Sequence, residues 1–260
     1  MIKPVLNLFA ILLLLTCLSS CKPDRYKILV CFVDHTLNSG SQKFIRFTDC
    51  IEKAISEAGF SEEYGKMKIV IYAIGTDENL KAPVSKTIKT KDEPDFISNP
   101  SSFSKSIVSK LTSKWNALVD TNNRTYHILP ISEMIQKYWK EVERTDGKGE
   151  MKVLIISEML EQSDAMIGQN SPDRYDFLER NTSNINTGQI SKALNDLNNA
   201  NSSLFLNHIR NYMDGKSDVE VDIHRTGDVN TSSGYEKIEE FWRAFFEKIG
   251  IDQENVEFFD

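Results

Sequence analysis

Basic residues are the minority in this chain, and that balance limits the partners it can have. The 260 residues include 31 Lys and Arg against 38 Asp and Glu, which gives a formal net charge of −7 at pH 7. Nucleic-acid affinity comes mainly from clustered Lys and Arg, so we expect no nucleic-acid partner. Hydrophobic residues make up 40% of the chain, which is enough for a core and argues against a disordered tether.

Sequence patterns that carry catalysis are scarce as well. No Gly-x-Ser-x-Gly elbow presents a serine nucleophile, and the small residues at 38–41 lack the Gly-x-Gly-x-x-Gly or Gly-Lys-Ser/Thr pattern of a phosphate loop. The histidines stand singly, without the paired spacing of zinc ligands: His35, His127, His208 and His224. These absences favour a protein that is not an enzyme, in which the histidines lie on the surface or stabilise the fold.

The chain begins with a segment typical of an export signal. Lys3 is followed by a mainly apolar stretch at 5–15, and small residues precede Cys21. The tetrapeptide Leu18-Ser19-Ser20-Cys21 resembles the lipobox of bacterial lipoproteins. That resemblance implies cleavage before Cys21, a lipid on its thiol and a place in the bacterial cell envelope outside the cytoplasm. The alternatives are an ordinary cleaved signal peptide and a transmembrane anchor, although the apolar run is shorter than the roughly 20 residues that span a bilayer.

We therefore expect three regions: a signal peptide at 1–20, a lipidated tether at 21–25 and a single domain at 26–260. The short tether would keep the domain close to the membrane, to which the lipid attaches it. Of the remaining cysteines, Cys31 and Cys50 could form a disulfide outside the cytoplasm, but two separate buried thiols are favoured.

Buried runs alternate with amphipathic segments in the order of an α/β protein. Continuous apolar runs predict strands buried on both faces at 28–33, 67–74 and 153–156, and alternation at 219–223 predicts an exposed or edge strand. Helical spacing of apolar residues predicts helices at 44–58, 101–118, 131–142 and 238–249, whereas the polar segment 76–99 predicts a long loop. The expected fold is a three-layer α/β domain with a mostly parallel central sheet and helices on both faces.

Polar side chains follow the predicted strands. Asp34, Thr36 and Asn38 come after the first strand, and Glu158 comes after the third. Ligands bind at the carboxyl ends of strands in open α/β sheets, and oxygen ligands of this kind suit Mg²⁺, Ca²⁺ or Mn²⁺ better than zinc. Without a metal, Asp34 and Thr36 would instead cap the following helix.

The element order and these strand ends resemble the von Willebrand factor type A family. Its metal-ion-dependent adhesion site begins with Asp-x-Ser/Thr-x-Ser directly after the first strand; Asp34 and Thr36 match that pattern, and Asn38 replaces the second serine. The run Val-Leu-Ile-Ile-Ser-Glu-Met-Leu-Glu-Gln-Ser at 153–163 resembles the Ser-Asp-Met-Leu-Glu-Asn-Ser stretch of some bacterial members, with Glu158 in place of the aspartate. The segment 239–246 resembles their closing helix.

This resemblance implies a degenerate site in which Asp34, Thr36, Asn38 and Glu158 hold Mg²⁺ or another divalent cation. The middle-loop threonine of the family has no clear counterpart, and Thr76 and Thr125 are the candidates.

A binding module is the function that these features favour. We expect a lipid-anchored protein that binds an unidentified protein partner at its strand-end face, with or without a cation. One alternative is a structural lipoprotein whose strand-end residues serve only the fold. Another is a metal-assisted hydrolase in which Asp34 holds the ion or attacks the substrate, and His35 or Glu158 acts as acid or base.

Overall fold

The described part of the chain is a six-stranded sheet with helices packed against it. The computed structural model describes residues 25–34, 52, 53, 55, 58, 64–74, 83–89, 99, 101, 102, 105, 106, 109, 110, 128–145, 149–157, 159, 219–225 and 232–259. The strands are β1 (Arg25–Asp34), β2 (Tyr64–Ile74), β3 (Val84–Lys89), β4 (Gly149–Ser157), β5 (Val219–Arg225) and β6 (Val256–Phe259). Two long helices lie within the described residues, α1 (Ile128–Glu143) and α2 (Ser232–Lys248), and a 3-10 turn, Gln253–Asn255, precedes β6.

The strands are ordered β3-β2-β1-β4-β5-β6. Only the β2–β3 pair is antiparallel, and every other neighbouring pair is parallel. Parallel neighbours require crossover connections, which agrees with the alternation of strands and helices in the sequence. The predicted α/β class with a mostly parallel sheet is therefore confirmed.

Each face of the sheet has its own core, because successive side chains of a strand point to opposite faces. Ile28, Val30 and Phe32 of β1 belong to the first core, which α1 and α2 cover. The alternate β1 residues belong to the second core together with Ile55 and Ala58. Residues 52, 53 and 55 are helical, so helical residues pack on both faces, as predicted.

Aromatic side chains of α2 form the densest part of the first core. Phe241, Trp242, Phe245 and Phe246 are each 0% exposed, and the Trp242 ring lies edge-on to Phe241 and Phe245 with centroid distances of 5.4 and 5.2 Å. Burial of each such side chain contributes about 1.5–3 kcal/mol. The helix ends at Lys248, and Gly250, two residues later, has a φ of 94°, which is easily reached only by glycine.

Three predictions about strands were wrong or incomplete. The polar segment 76–99, predicted as a loop, contains β3, an edge strand in which only Ile88 is fully buried. The terminal strand β6 was not predicted. It covers β5, so β5 is an interior strand rather than the edge strand that its alternation suggested. The alternation of β5 instead reflects polar contacts on the face of the sheet that carries the second core, which we call the second face. Asp222 lies on this face and is only 4% exposed.

Helix α1 begins at Ile128, slightly before the predicted 131, and Pro130 lies in its first turn, where proline is tolerated. Among the described residues, no helix has the length and apolar character needed to cross a bilayer.

Candidate functional site

The carboxyl ends of four parallel strands lie side by side. In the register of the sheet, Asp34 pairs with Ile74 of β2, and the preceding residue of β1 pairs with Ile156 of β4. Ser157, the last residue of β4, pairs with Arg225 at the end of β5. The segments that follow Asp34 and Ser157 therefore start from adjacent strands at the same edge, which we call the carboxyl edge.

The predicted site residues are described only in part. Asp34 is the last residue of β1, and only its backbone is described. Thr36, Asn38 and Glu158 lie outside the described residues, as does the predicted lipidation site Cys21. The same holds for the further candidates His35, Thr76 and Thr125. The register thus brings together the starting points of the two segments that carry the predicted ligands.

A buried turn follows β4 at this edge. Met159 has a φ of 58°, in the left-handed region that costs a non-glycine residue about 1–2 kcal/mol. Its backbone N–H donates a 2.9 Å hydrogen bond to Ser157 Oγ, and its side chain is fully buried in the first core. The backbone at Ser157 and Met159 is therefore fixed by contacts inside the protein.

Helix α2 holds this turn. The indole Nε1 of Trp242 donates a 2.9 Å hydrogen bond to the carbonyl oxygen of Met159, and the bond is buried. A buried tryptophan N–H needs such an acceptor. The apolar spacing at 238–249 predicted the helix that carries Trp242, but not the role of Trp242 in fixing the turn. The periodicity of a helix does not reveal which backbone carbonyl its side chains reach.

Metal ligands are not clustered in the described part of the chain. There, no group of three or more His, Cys, Asp or Glu residues could hold an ion. Asp34 is the one predicted ligand whose backbone position is known. The other three belong to the segments after β1 and β4 and lie outside the described residues. The structure therefore places only the backbone of the first predicted ligand.

Polar residues on the second face stabilise β5. Lys152 Nζ lies 2.8 Å from Asp222 Oδ2 and 3.6 Å from Glu220 Oε2, and the side chains of Lys152 and Asp222 are only 11% and 6% exposed. His224 is also buried, with its ring stacked on Phe259 at a centroid distance of 4.9 Å. This histidine serves the fold, as its isolated position in the sequence predicted.

Two hydrogen-bond networks occupy the opposite, amino edge of the sheet. On the second face, Glu150 binds Arg25 and Lys27 and accepts a 2.7 Å hydrogen bond from Tyr64 Oη. On the first face, Glu141 accepts hydrogen bonds of 2.6 Å from both Lys68 Nζ and Tyr26 Oη. All four carboxylate oxygens of Glu141 and Glu150 face a named donor, which indicates a structural role.

The electrostatics of Glu141 and Tyr26 follow from that network. Burial acts to raise the pKa of Glu141, but the hydrogen bonds from Lys68 and Tyr26, with the charges of Lys68 and Lys66, outweigh it and lower the pKa. Burial, followed by the hydrogen bond to Glu141, raises the pKa of Tyr26. The first residue is thus held ionised and the second neutral.

Cys31 behaves as a small hydrophobic residue. It is a free thiol, 0% exposed in the second core, and burial raises its pKa. A thiol of this kind is a poor nucleophile. The favoured reading of Cys31 as a separate buried thiol agrees with the structure, while Cys50 lies outside the described residues.

Comparison with known proteins adds little to this geometry. No protein-family model matches the chain, and no curated protein matches it significantly. Among solved structures, the crystal structure of the human COPII-coat protein Sec24c is similar with a TM-score of 0.36 and 12% sequence identity. The match covers 91% of this chain and 30% of that chain. The α/β assignment therefore rests on the sheet described above.

Proposed function

We propose that this chain is a lipid-anchored binding module of the bacterial cell envelope, similar to von Willebrand factor type A domains. Its lipid is carried by Cys21, and its partner is a protein that docks at the carboxyl edge. Asp34, Thr36, Asn38 and Glu158 hold a divalent cation there. The proposal takes the lipid anchor and the ligand set from the sequence resemblances.

The register of β1 and β4 is the observation that carries the proposal. A shared site needs the segment after Asp34 and the segment after Ser157 to start close together, and these two strand ends are neighbours in the sheet. The hydrogen bond from Trp242 to Met159 adds support, because it fixes the backbone of the residue that directly follows the proposed ligand Glu158 in the sequence.

The chemistry of the four residues suits a hard cation. Carboxylate, hydroxyl and amide oxygens are preferred by Mg²⁺ and Ca²⁺. Glutamate at 158 is one methylene longer than the aspartate of the related bacterial sequences, so it would reach the ion directly where aspartate often acts through a water. The bound cation would add positive charge at the docking surface, and an acidic partner group would be favoured.

Affinity purification from membranes, with and without a chelator, tests this function. We expect a tagged protein to recover a partner in the presence of Mg²⁺, and Asp34→Ala to reduce recovery as strongly as the chelator does. Asp252→Ala is the matched control, because Asp252 is an exposed aspartate just before the 3-10 turn at the amino edge, and its side chain makes no capping hydrogen bond. Equal recovery with wild type and Asp34→Ala would instead favour the structural lipoprotein.

A further inference from the structure

Among the described residues, the β2–β3 half of the amino edge is basic, although the chain is acidic overall. Lys66 lies near the start of β2, Lys89 ends the antiparallel β3, and Arg144 directly follows α1. Arg144 is placed at this edge by Gly149, the first residue of β4, which lies against the end of α1. All three side chains are exposed. We call Lys66, Lys89 and Arg144 the basic edge.

Among the described residues at this edge, six positive side chains (Arg25, Lys27, Lys66, Lys68, Lys89 and Arg144) outnumber three negative ones (Glu141, Glu143 and Glu150). Glu141 is bound to Lys68, and Glu150 is bound to Arg25 and Lys27. Among the residues that the structure describes, no ion pair is formed by Lys66, Lys89 or Arg144, although Lys66 Nζ lies 4.6 Å from the centroid of the Tyr26 ring.

Two of these charges directly oppose each other. Lys66 pairs with Lys89 in the β2–β3 register, and like charges placed opposite each other on neighbouring strands are destabilising. The exposed acidic residues Asp252 and Glu254 lie by contrast at the β6 side of the sheet. A negatively charged surface would relieve the repulsion at the β2–β3 side and would be repelled at the β6 side.

The chain length fixes which edge is near the proposed lipid. Cys21 precedes Arg25, the first residue of β1, by four residues, and four residues reach at most about 14 Å. β1 then runs for 10 residues to Asp34, which corresponds to about 30 Å at the usual rise of a strand. The amino edge is thus close to the lipid and the carboxyl edge is far from it.

From this placement we infer that the basic edge docks on an anionic lipid surface and turns the carboxyl edge away from the bilayer. The inference rests on the lipid anchor of the proposed function, and it adds the orientation of the domain. Each Lys or Arg near an anionic membrane is favoured about fivefold over its position in solution. The tether holds the basic edge within reach of that surface, so these contacts form without a separate encounter.

Lysine footprinting on vesicles tests the orientation. The lipidated protein purified from membranes is placed on vesicles of phosphatidylcholine with or without phosphatidylglycerol, and a water-soluble amine reagent is added. We expect Lys66 and Lys89 to be labelled about fivefold more slowly on the anionic vesicles, and high salt to restore the rate because it screens the attraction. Lys237, which lies on α2 five residues before Trp242, is the reference. Its labelling rate should be the same on both kinds of vesicle.

Charge reversal supplies the matched control. In the Lys66→Glu and Lys89→Glu double variant, we expect the vesicle-bound domain to lose its lipid-dependent protection across the amino edge, read out by hydrogen exchange of β2 and β3. Lys105→Glu with Lys110→Glu changes two other exposed lysines by the same charge and should keep it. Circular dichroism melting of both double variants checks that they fold.

The outcomes separate this inference from the proposed function. Equal labelling rates on both kinds of vesicle would overturn the orientation, as would protection that disappears when a co-purifying acidic protein is removed. The intact mass reports the lipid on Cys21 independently, and its absence would overturn the anchor and the orientation together. Neither of the first two outcomes would affect the proposed function, which is tested separately by the dependence of partner recovery on Asp34.

Discussion

Trp242 and Met159 are joined by a buried 2.9 Å hydrogen bond from the indole Nε1 to the carbonyl oxygen, across 83 positions of sequence. The bond connects helix α2 to the turn after β4. Met159 adopts a left-handed backbone conformation that it would not favour alone. The conformation of Met159, the second residue after β4, therefore depends on a residue in a different element.

We expect Trp242→Phe to lower the free energy of unfolding by more than the smaller ring alone would. The substitution leaves the Met159 carbonyl without its donor, and an unsatisfied buried polar group costs about 1–3 kcal/mol. Urea denaturation measures the free energy of unfolding. Amide hydrogen exchange at Met159 should accelerate under native conditions because the turn loses its attachment to α2.

Phe241→Leu is the control for that substitution, because it removes a buried aromatic ring from the same core and keeps the indole N–H of Trp242 that bonds to Met159. It should lower the stability while leaving native exchange at Met159 close to the wild-type rate. Similar exchange in Trp242→Phe and Phe241→Leu would show that the hydrogen bond does not hold the turn.

The sequence predicted the centre of the sheet well and its margins poorly. The continuous apolar run at 28–33 marked β1 because that strand is buried on both faces. β3 carries mainly Lys, Ser and Thr, because an edge strand need bury few side chains, and no hydrophobic signal separates such a strand from a loop. Asp222 made β5 look exposed, since its partner Lys152 lies on another strand and cannot be known from local periodicity.

The candidate site was predictable to a smaller extent. Asp34 could be placed at a strand end because the apolar run stops there, and the neighbouring end of β4 followed from the α/β pattern. The turn at Met159 could not be placed, because its left-handed φ and its bond to Trp242 arise from tertiary packing. Thr36, Asn38 and Glu158 lie outside the described residues, and their roles stay predictions.

Gly149→Ala should destabilise the junction between α1 and β4. A Cβ at this position would lie 2.5 Å from Val142 Cγ1 and 2.7 Å from Thr145 Oγ1. Thr145 is itself held by hydrogen bonds from its N–H and Oγ1 to the Val142 carbonyl oxygen, at 2.9 and 2.5 Å. Overpacking of this kind costs about 1–3 kcal/mol, which thermal or urea denaturation would measure.

A double-mutant cycle separates this clash from a general loss of stability. Val142→Ala removes the nearer of the two side-chain contacts, so Gly149→Ala should cost less in that background than in wild type. Additive costs would mean that the clash with Val142 does not contribute. Ser85→Ala, on the exposed face of the edge strand β3, should be close to neutral.

The stability of the protein should fall in acid partly through Glu141. The folded pKa of Glu141 is lowered below its ordinary value of 4.5, so its contribution is present above that pH and is lost as the pH falls through the lowered pKa. Glu141→Gln removes the charge that Lys68 and Tyr26 stabilise. The variant should be less stable than wild type at neutral pH, and the difference should shrink in acid.

Urea denaturation as a function of pH measures this difference. Glu257→Gln on the short edge strand β6 is the control, because Glu257 is exposed. If the curves of wild type and Glu141→Gln stay parallel down to the acid limb, the ion pair with Lys68 does not contribute to the acid sensitivity.

Cys31 should react with thiol reagents only when the protein unfolds. Its side chain is fully buried and burial raises its pKa, so its thiolate is disfavoured in the native state. Mass spectrometry of the peptide that contains Cys31 should show alkylation that follows the unfolding curve in urea. Rapid alkylation without denaturant would contradict the packing of the second core.

The ion pair between Lys152 and Asp222 predicts an asymmetry between single and double substitutions. The two side chains are only 11% and 6% exposed, with Nζ and Oδ2 2.8 Å apart. Asp222→Ala leaves the Lys152 ammonium largely buried, with the carboxylate oxygen of Glu220 farther away at 3.6 Å. Loss of one partner of a buried pair costs about 3–5 kcal/mol, and urea denaturation should show a loss in that range.

Replacing both residues by apolar side chains of similar volume should cost much less. In Lys152→Met with Asp222→Leu neither charge of this pair remains, and such replacements are often neutral or stabilising because the desolvation of two ions is avoided. Glu220→Ala, which removes the exposed partner, should cost less than 1 kcal/mol. If the double variant is as unstable as Asp222→Ala, then the pair contributes specific geometry to the β4–β5 contact that hydrophobic packing cannot replace.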